Sequence, residues 1–247
     1  MSADHQNAFP GCGTPATPRL AELQILLRGD LVSIRKSVEQ TNAGQAAFYI
    51  AVILIGAGLY GGAVGAWRSP LQGGFTAIKF PLIVLLTAFG NGLLNAMLAP
   101  LLGLNLGFRQ SLMAILISFT MAATILGSFS PLVWFLTWNM PPLEAGGKVP
   151  FQAHALHLLT QIILIAFAGT AANLRLLQLL RSFSGSKEAA RNVLLAWLAG
   201  NLLLGGQLSW MLRPFVGSPG LPVEFLRNDA LHGNFFEAVF RTAKSLF

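Results

Sequence analysis

The sequence predicts an all-α fold: a polytopic transmembrane helical bundle of about five spans, with amphipathic helices at the N- and C-terminal ends. Three observations predict it. Of the 247 residues, 54% are hydrophobic and only 10% are charged, against roughly 25% charged in an ordinary soluble domain. The apolar residues gather into runs long enough for the ~30 Å hydrocarbon core of a bilayer, which takes about 20 residues of helix. These runs are continuously apolar instead of alternating at every second residue, so each is a helix and not a barrel strand. A soluble chain this poor in charge would expose large apolar patches to water. Disorder is excluded because disordered chains lack apolar residues, and a disulfide framework because Cys12 is the single cysteine.

Along the chain, residues 1–18 are rich in Pro, Gly, Ser and Thr and are expected to form a flexible leader. In 19–45, Leu20, Leu23, Leu27, Leu31, Ile34 and Val38 recur at spacings of three and four. Arg28, Asp30, Arg35 and Lys36 stay off that stripe, which predicts an amphipathic helix on the cytoplasmic side. Its apolar face suits the membrane surface, the protein's own loops or a partner equally. The leader lacks the apolar core of a cleavable signal peptide, so the first span is expected to serve as both targeting signal and anchor.

The bundle is expected over 46–213, with spans at about 46–67, 80–102, 111–138, 154–174 and 193–212. The first, AAFYIAVILIGAGLYGGAVGAW, carries no charge, and the second is uncharged between Lys79 and Arg109. The third is longer than one crossing needs, and Pro131 is expected to kink or end it. Residues 130–138 are then either the end of that span or a re-entrant piece. Beyond the fifth span, 214–247 is expected to be a Pro/Gly turn followed by an interfacial amphipathic helix. Glu224, Arg227, Asp229, Glu237, Arg241 and Lys244 forbid a sixth crossing there. From Gly233 onward, Phe235, Phe236, Val239, Phe240, Ala243 and Phe247 share one helical face, opposite Glu237, Arg241 and Lys244.

Lys and Arg near span ends mark the cytoplasmic side. Arg19, Arg28, Arg35 and Lys36 precede the first span, and Arg175, Arg181, Lys187 and Arg191 lie between the fourth and fifth. Five spans put both groups on one side. The N-terminus is therefore expected in the cytoplasm, in a bacterial-type inner or plasma membrane. Arg213, Arg227, Arg241 and Lys244 then fall outside against the rule, which leaves the side of the tail open. The net charge of +7 is spread among loops. It points to the lipid bilayer and its anionic lipids as partners and not to nucleic acid.

The same residues bound the function. No GxxxxGK[ST], HExxH, GxSxG or dinucleotide fingerprint occurs, so no enzyme activity and no metal site are expected. No acidic residue lies between Glu39 and Glu144, or between Glu144 and Glu188, so no span holds a carboxylate. Proton- and sodium-coupled transport commonly depends on such groups, because charge inside a membrane is costly and kept for function. What the spans hold instead are amides: Asn91 and Asn95 four apart on one face, with Asn201 and Gln207 in the fifth. They either line a cavity or hydrogen-bond across helices. Gly58, Gly61, Gly62 and Gly65 give two overlapping small-xxx-small pairs, a face on which another helix can pack closely.

His154 and His157, three apart, share a face at the start of the fourth span. A metal site would want a further ligand. A tetrapyrrole needs only one axial imidazole in an apolar pocket, so a haem or chlorophyll-type cofactor is conceivable, though no cofactor is strongly implied. Trp210 and Arg213 lie three apart just before a Pro/Gly-rich turn. They are candidates for docking or lipid contact, or for capping the span's last carbonyls, where a cation is favoured. No family motif can be matched residue by residue. The leading expectation is a non-enzymatic membrane protein acting as anchor, scaffold or accessory subunit of a larger assembly, in contact with other membrane protein subunits. The alternatives are a passive channel or carrier for a small solute, and a pigment- or haem-binding subunit.

Overall fold

The computed structural model describes residues 18–104, 106–141, 149–184, 186–217 and 220–237. Residues 1–17 of the leader with Cys12, the 142–148 connection and the part beyond residue 237 of the tail helix expected from Gly233 lie outside them. Among the described residues there is no strand. The elements are α1 (Pro18–Arg28), α2 (Leu31–Glu39), α3 (Ala43–Ala66), α4 (Pro70–Leu101), α5 (Phe108–Trp138), α6 (Val149–Phe183) and α7 (Lys187–Met211). The last five are long and apolar enough to cross a membrane.

The single helix expected over 19–45 is two. Gly29 takes a left-handed φ of 77°, and the Asp30 amide reaches back to the Ile25 carbonyl at 3.3 Å, closing α1 as a glycine C-cap does. Asp30 then caps α2, its carboxylate accepting from the Val32 amide at 3.3 Å and the Ser33 hydroxyl at 2.6 Å. Of the expected apolar stripe, Ile34 and Val38 pack on the protein itself while Leu27 is exposed, and Leu26, off that stripe, takes the buried place in α1. Leu26, Ile34 and Val38 are buried in one cluster with Leu176, Leu179 and Leu180 of α6. Arg35 Nη1 donates to the Ser182 carbonyl at 2.5 Å, with its guanidinium 4.9 Å from the Phe183 ring centre. Glu22 accepts from Gln45 Nε2 and, at 2.8 Å, from the Tyr49 hydroxyl, tying α1 to the start of α3.

Helix lengths explain where that hairpin sits. At 1.5 Å per residue, the 35 residues of α6 run for about 52 Å, well beyond a ~30 Å hydrocarbon core. α2 packs against the last turns of α6, and α1 against α2 and α5. α6 therefore extends past both ends of the expected 154–174. α4 also begins earlier than the expected residue 80. Ser69 Oγ accepts from the Gln72 amide at 3.1 Å and Pro70 occupies the first turn, a favoured helix start. Lys79, taken from the sequence as a flanking charge, is thereby inside the helix and fully buried. α5 runs unbroken through Pro131 to Trp138, so 130–138 is the end of a helix and not a re-entrant piece.

Five traverses leave α1, α2, residues 102–104 and 106–107, and the ends of α6 and α7 at Phe183 and Lys187 at one end of the bundle, here the N-terminal end. The α3–α4 turn and residues 212–237 lie at the other, the tail end. α3 is central, packed on α4 and α5, while α7 leans on α4 and α6 on α5. The Tyr49, Ile53 and Ala57 side of α3 joins the larger core cluster, and Tyr60, Ala63 and Val64 the smaller one.

Candidate functional site

The amides lie in the seam between α4 and α7. Asn91 Nδ2 donates to the Trp197 carbonyl at 3.0 Å and to Asn201 Oδ1 at 2.6 Å. Asn95 Nδ2 donates to the Asn91 carbonyl at 2.8 Å and to Asn91 Oδ1 at 2.6 Å. Gly200 makes room, since a Cβ there would strike Asn91 Oδ1. Gln207 stands apart from this group and accepts from the Phe235 amide at 3.4 Å. None of the four lines any of the cavities described below, so these groups join elements of the chain to each other.

The glycine face of α3 meets α4. A Cβ on Gly61 would lie 2.6 Å from the Thr76 carbonyl oxygen, and one on Gly65 2.6 Å from that of Gln72. Gly58 and Gly62 face Ala77 more loosely, at 3.4 Å and 3.6 Å. On the opposite side, Gly56 sits against the Ala123 carbonyl and Gly127 of α5. Small residues here let three backbones approach, and dispersion between close-packed atoms holds them.

His157 is fully buried and its Nε2 lies 3.0 Å from the Val64 carbonyl. A carbonyl only accepts, so Nε2 carries the proton. The Trp67 ring lies 5.7 Å from the His154 ring and 6.0 Å from that of His157, centre to centre. That stack fills the space beside both imidazoles, and neither histidine lines a cavity described here. Among the described residues, no group of three His, Cys, Asp or Glu is placed to hold a metal ion.

The densest polar cluster at the tail end was not anticipated from the sequence. Gln72, Thr76 and Lys79 share one face of α4 at i, i+4 and i+7. Gln72 Nε2 donates to the Pro214 and Phe215 carbonyls at 3.0 Å and 2.9 Å. Thr76 Oγ1 donates to the Phe215 carbonyl at 2.7 Å. Lys79 Nζ donates to the Pro214 carbonyl at 3.1 Å and lies 4.9 Å from the Phe225 ring centre. All three side chains are fully buried, and a buried polar group is tolerable only when it is hydrogen-bonded. They clamp the chain leaving α7 onto α4. The Q-x-x-x-T-x-x-K spacing was the available signal, hidden because this stretch reads as a linker when the span is begun at residue 80.

Arg213 is engaged within the tail. Nη1 donates to the Trp210 carbonyl at 3.0 Å, capping α7, and Nη2 pairs with Asp229 Oδ2 at 2.8 Å. The guanidinium stacks 3.7 Å from the Trp210 ring centre, and Trp210 Nε1 donates to the His232 carbonyl at 3.2 Å. The Arg213 hydrogen bond holds the Asp229 carboxyl below the usual carboxylate range.

Two cavities open at the N-terminal end. One, of about 540 Å³, is polar and lined by Arg19, Lys36, Ser37 and Gln45. The other, of about 390 Å³, is an apolar groove between α3, α4 and α5 with Arg109 on its lining. An apolar cavity of about 220 Å³ lies among α3, α4, α5 and α6, beside Phe80 and Phe119. A fourth, of about 370 Å³, lies at the tail end between Trp67 and the end of α5. Comparison of the chain with protein-family models, curated proteins and solved structures found no match.

Proposed function

We propose that this chain is a non-enzymatic integral membrane protein that anchors or scaffolds a larger membrane assembly, with its N-terminus in the cytoplasm. The observation that carries this is the use made of the intramembrane polar groups. Asn91 bonds α4 to α7 through the Trp197 carbonyl and Asn201, Asn95 braces Asn91 within α4, and the α3 glycines seat α4. Together with the absence of any carboxylate between Glu39 and Glu144 or between Glu144 and Glu188, this describes a body built to be rigid. Coupled transport would place titratable groups along a path through it. A passive pore gains no support from the same amides, since they face helices and not a cavity.

What the bundle holds out on either side is ordered as well. The α1–α2 hairpin is pinned beneath α6, and the tail is clamped on α4. Each is a fixed surface outside the hydrophobic layer, as an anchor requires. The cations of α1 and α2, with Arg181, Lys187 and Arg191 in the helix ends that flank the α6–α7 turn, support the proposed orientation.

Photo-crosslinking in intact membranes tests this, with a benzophenone residue at exposed Leu27 or Val32 of the hairpin. The expected outcome is a discrete adduct larger than the 26.4 kDa chain, and co-migration with that partner after mild solubilisation. A chain that gives no adduct at either position, and runs as a monomer on a native gel, overturns the proposal.

A further inference from the structure

Three of the five tryptophans line one cavity, the tail-end space of about 370 Å³. Trp67 comes from the end of α3 and is only 8% exposed. Trp134 and Trp138, one turn apart on α5, are 47% and 87% exposed. Ala66, Met140 and Pro141 add apolar walls. The single hydroxyl on the lining, that of Thr137, already donates to the Val133 carbonyl at 2.6 Å. Among the described residues the lining holds no carboxylate, no lysine and no arginine.

A pair of membrane-boundary belts would spread the tryptophans over both ends of the bundle, and here they gather at one. Trp67, Trp134, Trp138 and Trp210 all lie at the tail end, Trp197 is buried in the core, and none lies at the N-terminal end. The protein's own cations stand over other rings: Arg213 over Trp210, Lys79 over Phe225 and Arg35 over Phe183. Among the described residues no cation stands over Trp67, Trp134 or Trp138. The neighbouring Arg68 turns away, its Nη2 donating to the Leu221 carbonyl at 3.0 Å.

We propose that this cavity binds a quaternary ammonium group, of the kind found in choline and in choline-bearing lipid headgroups. The chemistry selects that cation over others. A tetraalkylated nitrogen is positive, which tryptophan faces attract more strongly than any other side-chain ring. It presents methyl groups, which Ala66, Met140 and Pro141 accommodate. It has no N–H, so it asks no hydrogen bond of the lining. A primary ammonium, a guanidinium or a sugar carries several donors, for which the described side chains of the lining offer no oxygen but that of Thr137.

Titration calorimetry on the full-length chain in maltoside micelles tests this, with choline and its uncharged carbon isostere 3,3-dimethyl-1-butanol. Choline is expected to saturate a single site, and the isostere to bind about tenfold more weakly, because only the cation attracts the ring faces. The Trp134→Leu/Trp138→Leu variant should lose at least about tenfold in choline affinity, and the corresponding double Phe variant less. Circular dichroism checks that both variants fold, which their exposure favours. Repeating the titration in nanodiscs identifies the source of the group. Heat lost in phosphatidylcholine but kept in phosphatidylglycerol assigns a lipid headgroup, and heat kept in both assigns a soluble cation. Any of three results overturns the proposal: no saturable heat in micelles or in phosphatidylglycerol, equal affinity for the isostere, or unchanged affinity in the folded Leu variant.

Discussion

Gly61 and Gly74 are both helical glycines, and their surroundings give them opposite expected responses to a methyl group. A Cβ on Gly61 would meet the Thr76 carbonyl at 2.6 Å and Phe80 Cβ at 2.9 Å, and neither atom can move without shifting α4. At Gly74 nothing lies within 4 Å. Overpacking costs about 1–3 kcal/mol, and replacing a helical glycine by alanine returns up to about 1 kcal/mol. Gly61→Ala is therefore expected to destabilise by about 1–2 kcal/mol, and Gly74→Ala to stabilise by about 0.5–1 kcal/mol. Reversible unfolding in mixed micelles measures both. A Gly61→Ala protein as stable as the parent would remove the case for backbone-to-backbone packing of α3 on α4.

At the scale of elements, the α1–α2 hairpin is joined to the bundle mostly by its apolar stripe. Ile34 is 2% exposed against the last turns of α6. Truncating a buried isoleucine to alanine costs about 2–5 kcal/mol. Ile34→Ala is expected to detach the hairpin locally, because α3–α7 keep their own contacts. Hydrogen exchange should then accelerate across residues 18–39 and stay unchanged in α3, α4 and α5. Uniform acceleration through the bundle would show instead that hairpin and bundle unfold as one unit. Arg35 and Glu39, 2.8 Å apart and about half exposed, add little, since surface pairs on a helix are worth only about 0.3–0.5 kcal/mol.

For the whole molecule, the chain beyond α7 is a closing piece that reaches three elements. It meets α4 through Gln72, Thr76 and Lys79, the α3–α4 turn through Arg68, and α7 through the His232 carbonyl that accepts from Trp210, and within itself it is pinned by the Arg213–Asp229 pair. The last contact gives a pH dependence with a defined sign. Arg213 lowers the Asp229 carboxyl, so the pairing contributes fully above the free carboxylate value of ~3.9. It is lost as pH falls through the lower folded value. The tail contact is expected to be constant from neutral pH down to about 5 and to loosen below about 4. Amide exchange at residues 229–232 measures this. Asp30, lowered chiefly by the Ser33 hydroxyl, titrates in the same range, so the decisive comparison is Asp229→Asn. That variant should lose the dependence at 229–232 and keep any at residues 30–33.

Composition and continuous apolar runs were enough to fix the class and the number of the long apolar helices, because a bilayer sets a length and a polarity that local sequence must meet. Ends were harder to place. The expected second span starts after Lys79 because a lysine costs more in lipid than it returns. In the fold it lies inside α4, since Pro214 and Phe225 meet its amine far along the chain. The break at Gly29 was legible in principle as glycine followed by a capping aspartate, but the heptad-like stripe ran across it. Gly58, Gly61, Gly62 and Gly65 announced a close helix contact without naming α4, and Asn91 and Asn95 a polar face without naming Trp197 and Asn201. The sequence by itself determined which segments leave water, since that depends on each segment's own transfer free energy. Only the tertiary structure decided which polar side chains find partners and which tryptophans converge, because hydrogen bonds and cavities belong to pairs of residues distant along the chain.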